Sequence, residues 1–332
     1  MTAVAAPRTN RRSARPVQLA VLIALAALAL IPFASYPQSV GVDWLWYRNG
    51  IDRLVAGQPI YDPAWLLGPF NYVAPANYFQ FNQAPWLLPI VGPFTLLPEP
   101  VATYAWLAFM DAALLLALAL VLPRWPPLLA VVLLAPPVLM SLVWGNVEAL
   151  VAVGVAFWIV GRRRDSTGLE TAGIVLASIK VVPAIPLLLL AIRSRRWKAA
   201  AASIAIAGGV SVVVSLMGGQ NILEQFIRIT ANIEPVVDRL NISPAAWLGA
   251  SSTAYLAVRV LAVLAMVLIF VRVRSELAAL ATLELACCFL ATNLYVDWLV
   301  TPGIALLAWA PVRRLVRDRS LRAAPDHAQE TL

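Results

Sequence analysis

The chain is poor in the residues on which most soluble enzyme chemistry rests. Of 332 residues only 13% are charged while 61% are hydrophobic, against roughly a quarter and a half in a soluble globular protein. That excludes a water-soluble two-domain enzyme. The one histidine, His327, stands in a polar tail, which argues against a Ser-His-Asp triad, His-ligated zinc or haem. The two cysteines, Cys287 and Cys288, are neighbours in an apolar run. They cannot staple distant loops and are read as small helix-packing residues. A Gly-rich phosphate loop and a Walker motif are both missing, so a bound nucleotide is disfavoured. The net charge of +8 resembles a nucleic-acid footprint until the basic residues are located. They sit in short clusters between hydrophobic runs, which is topology information, and no nucleic-acid partner is expected.

What is abundant is apolar sequence. Runs extend from Val17 to Phe33, Val101 to Leu122, Pro126 to Val143, Val147 to Val160, Leu169 to Ile192, Ala199 to Met217, Ala254 to Val271, Leu277 to Leu290 and Trp298 to Ala310. At about 20 residues per crossing, the composition predicts an all-α polytopic membrane protein with about ten transmembrane helices. Two stretches are ambiguous, Phe81 to Pro98 with its four prolines and Leu169 to Ile192 around Lys180, Pro183 and Pro186. Charge decides between threadings. If the first stays outside and the second is a broken hairpin, then 19 of the 25 basic residues face the cytoplasm, as the positive-inside rule asks. Each hairpin arm then has about twelve residues, roughly 18 Å at 1.5 Å per residue, short of the ~30 Å hydrocarbon core. The resulting plan has a cytoplasmic basic tail at 1–16, a single transmembrane domain at 17–312 with extracytoplasmic loops at 35–80 and 218–252, and a cytoplasmic tail at 313–332. The expected location is the plasma (inner) membrane.

This threading gathers the unusual polar residues on the outer side, which suggests a site at the outer interface. Trp44, Tyr47, Ile51 and Leu54 fall at helical spacing after Asp43, predicting an amphipathic helix from Asp43 to Val55 that lies on the membrane with its aromatic rings at headgroup level. Asp43 reads equally well as the cap of that helix or as a catalytic carboxylate. Lys180, in an apolar run, has either a functional or pairing reason to be there, or snorkels. Glu148 and Asp297 fit polar helix ends, and Asn241 with Ser243 fits a cap for the segment that follows.

Asp43 and Tyr47, Gly57, Tyr61 and Pro63 in AGQPIYDP, the stretch FNQAPWLLPIVGPFTLLP, Gly145-Asn146-Val147-Glu148, Lys180 with Pro183, and Asn241-Ile242-Ser243 occur in serial order. In this the chain resembles glycosyltransferase family 87 of the GT-C superfamily, which includes bacterial polyprenyl-phosphate-mannose-dependent α-mannosyltransferases. The resemblance implies a GT-C-like bundle with a long first extracytoplasmic loop. It also implies an inverting transfer of a sugar, with mannose expected, from a polyprenyl-phosphate donor to a lipid or glycan acceptor of the cell envelope. Asp43 would be the general base and Lys180 the partner of the leaving phosphate, helped by Arg48, Arg228 or Arg239, which otherwise meet membrane lipids. Donor or acceptor contacts would fall to Tyr47, Tyr61, Gln83, Asn146, Glu148, Asn241, Ser243 and Asp297. Neither a cofactor nor a metal is implied.

Three departures stand out. The chain has Gln83-Ala84-Pro85 where the family tends to Tyr-Pro-Pro, Asn146 and Glu148 in a turn usually written Gly-Gln-x-Asn, and Tyr295 to Trp298 where a histidine is frequent. Asp297 would replace that histidine. Two alternatives remain at this level: a lipid or solute transporter, for which the broken hairpin speaks, and a catalytically inactive relative that binds lipid-linked sugar.

Overall fold

The structure is a computed structural model and describes residues 40–67, 81–121, 143–233, 242–249, 251–291, 294 and 296–309. The run from Val17 to Phe33, nearly all of that from Pro126 to Val143, both tails, and the candidates Arg239 and Asn241 lie outside these residues. Within them every regular element is helical: α1 (Val42–Val55), α2 (Pro63–Leu67), α3 (Leu88–Thr95), α4 (Val101–Val121), α5 (Glu148–Arg164), α6 (Thr167–Ala177), α7 (Val181–Arg193), α8 (Trp197–Gly218), α9 (Ile222–Asn232), α10 (Pro244–Leu248), α11 (Thr253–Arg272), α12 (Glu276–Cys288) and α13 (Val300–Trp309). Short 3-10 turns occupy Pro85–Leu87 and Val296–Leu299.

Among the described residues three helices, α4, α8 and α11, are long and apolar enough to cross a membrane. Their 20 to 22 residues give about 30–33 Å at 1.5 Å per residue, matching the hydrocarbon core. On α11, Leu256, Val260, Leu261, Leu264, Leu268 and Val271 are all more than half exposed. An apolar surface of this extent is tolerated where lipid is the solvent. By contrast, α5 is buried on nearly every side from Glu148 to Gly161, as the central helix of a bundle should be.

The partner that buries α5 most closely is α6, and glycine permits the approach. A Cβ on Gly154 would fall 2.6 Å from the Ala177 nitrogen, and one on Gly173 would fall 2.6 Å from the Gly154 carbonyl oxygen. Small residues let two backbones meet in this way inside membranes. The expected broken hairpin is present: α6 and α7, of 11 and 13 residues, are joined through Ser178 to Lys180. At about 17 and 20 Å, neither arm spans the core. The stretch from Phe81 to Pro98 likewise forms only the Pro85–Leu87 turn and the eight-residue α3. Its Ala84 nitrogen donates to the Ile179 carbonyl (3.5 Å), which seats it at the hairpin tip.

The polar residues divide between the two ends of the bundle. At one end the Arg162 guanidinium donates to both oxygens of Glu276 (2.8 and 2.6 Å) and to Glu170 (3.5 Å), and Ser194 donates to Glu276 (2.5 Å). Arg193 reaches the Phe270 carbonyl, Arg163 the Ala308 carbonyl, and Arg196 the carboxylate of Asp165. The basic clusters at Arg162 to Arg164, Arg193 to Lys198 and Arg272 to Arg274 therefore share one end, as the charge argument expected. The other end collects Asp43, Asn146, the hairpin tip, the close of α8 at Gly218 beside Leu54, and Trp298.

Within the expected loop between Gly218 and Ser252, the described residues form the helices α9 and α10. Ile222, Phe226 and Ile229 form the buried stripe of α9, with Asn221 accepting from the Glu224 nitrogen as its cap. This stripe packs on Tyr61 and Trp86, so α9 covers the segment that follows α1.

Candidate active site

Gly41 begins the site. It takes the cap position of α1 with φ +69°, its nitrogen donates to the Val143 carbonyl (2.7 Å), and a Cβ there would meet Thr103 at 2.7 Å. Only glycine enters this left-handed conformation without strain. The next turn of α1 presents Asp43, Trp44 and Tyr47, all at 5% exposure or less. The helix forms where its spacing predicts, but its aromatic face meets protein rather than headgroups. Trp44 stacks on Trp106 (centroids 5.3 Å), Tyr47 meets the same ring edge-on (5.8 Å), and Phe94 closes the cluster. Glu99 ties the outer edge, accepting from the Trp44 indole (3.0 Å), Thr103 (2.7 Å) and Arg48.

From Asp43 a line of polar contacts crosses to the hairpin tip. The Asn146 side-chain amide donates to Asp43 Oδ2 (2.5 Å), and its Oδ1 accepts from the Glu148 backbone nitrogen (3.0 Å). Tyr47 Oη accepts from the Val147 nitrogen (3.4 Å). Glu148, fully buried at the start of α5, pairs with Lys180 Nζ at 2.8 Å. The ammonium also stands 4.5 Å from the centre of the Trp298 ring. Five of the sequence candidates, Asp43, Tyr47, Asn146, Glu148 and Lys180, are thus assembled from three separate elements. Lys180 does not snorkel: its side chain is 4% exposed.

The remaining candidates lie elsewhere or in other roles. Tyr61 donates to the Gln83 carbonyl (2.8 Å) within a cluster with Phe81 and Phe226, and burial pushes its phenol well above the ordinary tyrosine value, so it stays a neutral donor. The Gln83 amide donates to Asn82 (2.7 Å). Arg48 is engaged by Glu99 and Asp52, and Arg228 by Glu224 on a largely exposed face of α9. Neither joins the line from Asp43 to Lys180. Ser243 is buried and caps α10, accepting from the Ala246 nitrogen (3.2 Å). Its neighbour Ile242 donates to the Leu294 carbonyl (2.7 Å), which draws this segment towards the turn that carries Trp298. Asp297 is on that turn, with its side chain outside the described residues.

Several contributors were not singled out from sequence. Trp106 and Glu99 fix α1, and Trp298 faces Lys180. Trp106 and Trp298 look like ordinary membrane aromatics, and only their partners give them away. Glu284 is 2% exposed on α12, and among the described residues its Oε1 meets no hydrogen-bond donor. No group of three or more histidine, cysteine or carboxylate side chains placed to hold a metal ion occurs among the described residues.

Chemically, the arrangement offers an oriented carboxylate and a buried ammonium held in register by one turn, beneath a rim of aromatic rings. No curated protein and no solved structure matches the chain. The sequence pattern of glycosyltransferase family 87 matches residues 83–302, a stretch that begins after Asp43 but includes Asn146, Glu148, Lys180 and Ser243. With about two thirds of its length so matched, the chain belongs to glycosyltransferase family 87.

Proposed function

We propose that this protein is an integral-membrane inverting glycosyltransferase that uses a polyprenyl-phosphate sugar, with mannose the expected sugar, and transfers it to a lipid or glycan acceptor at the extracytoplasmic face. The observation that carries this reading is the unbroken line from Asp43 through Asn146 and Glu148 to Lys180. It supplies the two charges that such a transfer requires. As the acceptor hydroxyl attacks the anomeric carbon, its proton passes to the Asp43 carboxylate. The bond from that carbon to the phosphate oxygen breaks on the opposite face, and the electron pair leaves with the lipid phosphate. One in-line displacement inverts the anomeric centre. The negative charge that grows on the departing phosphate is met by Lys180, whose ammonium Glu148 and Trp298 hold in place.

Charge supports the extracytoplasmic face. The arginine clusters lie at the end away from Asp43, and cytoplasmic loops are the ones that carry such clusters.

The test is a transfer assay on purified protein in lipid with a labelled polyprenyl-phosphate sugar. Asp43→Asn keeps the side chain's size and removes its basicity, so turnover should fall by ~10²-fold or more. Transfer by Asp43→Asn at the wild-type rate would overturn the mechanism.

A further inference from the structure

The family resemblance implies that Asn146 contacts donor or acceptor. We infer instead that Asn146 is a positioning residue, which orients the Asp43 carboxylate and leaves sugar contacts to others; this rests on Asp43 being the base.

The side-chain amide has no choice of orientation. A backbone N–H only donates, so the atom facing the Glu148 nitrogen at 3.0 Å must be the oxygen. The NH₂ group is then turned towards Asp43 Oδ2, 2.5 Å away, and an ionised carboxylate only accepts. Both ends of the amide are therefore specified by partners that cannot exchange roles.

Its backbone is held as firmly. Gly145 has φ +69°, and its carbonyl accepts from the Trp106 indole at 2.7 Å. The same indole ring stacks on Trp44, the residue after Asp43. Asn146 and Asp43 are thus in register twice, once by direct hydrogen bond and once through the Trp106–Trp44 stack. A base whose carboxylate is fixed in this way meets the acceptor hydroxyl without searching rotamers, and that advantage is realised in turnover rather than in binding.

The experiment compares wild type, Asn146→Ala, Asn146→Asp, Asp43→Asn and the double variant Asp43→Asn/Asn146→Ala in the same labelled transfer assay. Turnover and KM are measured for donor and acceptor, with thermal unfolding in detergent to verify folding. Asn146→Ala should lower kcat by roughly 10- to 100-fold, the usual cost of losing a supporting contact, with both KM values within about twofold of wild type. The double variant should be no slower than Asp43→Asn, because the two residues act as a unit. Asn146→Asp keeps an acceptor for the Glu148 nitrogen at nearly the same volume but sets a second carboxylate against Asp43. It should be at least as slow as Asn146→Ala, and it decides the matter if the alanine variant does not fold. If Asp43→Asn is inactive while Asn146 variants raise a KM at unchanged kcat, Asn146 is a ligand and the inference fails, although the base survives. If Asp43→Asn is fully active, both fail together.

Discussion

Both ends of the bundle are held by ion pairs, yet the pairs differ in kind. At the Asp43 end, Glu148 and Lys180 are 0% and 4% exposed, and the pair extends into a line of single contacts that ends on one carboxylate. At the arginine end, Arg162 and Glu276 are 15% and 31% exposed. There, the guanidinium groups of Arg162 and Arg196 share Glu170, Glu276 and Asp165 and tie three interhelical turns to one another. Burying two charges costs several kcal/mol per ion unless their attraction and further hydrogen bonds repay it. In the arginine network only Glu170 is fully buried, and its partners are partly exposed, so most of these charges cost less to bring out of water. Stability alone explains the second arrangement, whereas the first is expensive for what it contributes to stability and is better explained by the use of its charges.

The contrast is broken most severely by Asp43→Asn, for which the ~10²-fold loss of turnover should come with little change in thermal unfolding. Next in size is Lys180→Met, which leaves Glu148 buried without its cation and should destabilise by about 3–5 kcal/mol. Adding Glu148→Leu should recover most of that stability and none of the activity, as judged by unfolding in detergent beside the transfer assay. Recovery of transfer by the double variant would show that the charges are structural. Gly173→Leu attacks the seam between the ends, since its side chain would start 2.6 Å from backbone. Overpacking there should cost about 1–3 kcal/mol, read as a lowered unfolding temperature.

At the arginine end the expected effects are smaller and depend on pH. Burial pushes the Glu276 carboxyl up, but hydrogen bonds from Arg162 and Ser194 and the nearby Arg162 and Arg193 charges outweigh it and hold it below its ordinary value. A depressed carboxyl contributes stability above the ordinary carboxylate range, and that stability disappears as pH falls through the lowered value. Wild type should therefore lose unfolding temperature on acidification more steeply than Glu276→Gln, while donor and acceptor KM at neutral pH stay the same in the variant. The smallest effect belongs to Arg228→Gln. Its pair with Glu224 is more than half exposed on both sides, and such pairs contribute about 0–1 kcal/mol. A large rise in donor KM for this variant would instead make Arg228 the phosphate partner.

Much of the frame is legible in the chain because its signals are local. The crossings α4, α8 and α11 coincide with apolar runs, and the break at Lys180 follows from two prolines and the charge count. Helix α9, within the stretch expected to be an extracytoplasmic loop, carries a signal as well: Ile222, Phe226 and Ile229 recur at helical spacing after an Asn-x-x-Glu cap, but eleven residues are too few to register as an apolar run. What sequence did not disclose is partnership at a distance. Trp44 and Tyr47 suit a headgroup belt as well as a protein interior, and Trp106, some sixty residues on, decides between them. Asn146 meets Asp43 across 103 residues, and no periodicity encodes such a meeting. Glu148 reads as a helix-end acid and Lys180 as an isolated cation until the hairpin brings them together.

The seam between α5 and the short hairpin also sets a depth. From Glu148 to Arg162 is about 21 Å along α5, whereas α4, α8 and α11 are some 10 Å longer. In a bilayer thick enough for the long helices, at least one end of this shorter stretch would lie below the membrane surface. On the proposed reading, with Lys180 as the partner of the leaving phosphate, a lipid-linked donor would be met at that depth instead of being drawn out into water.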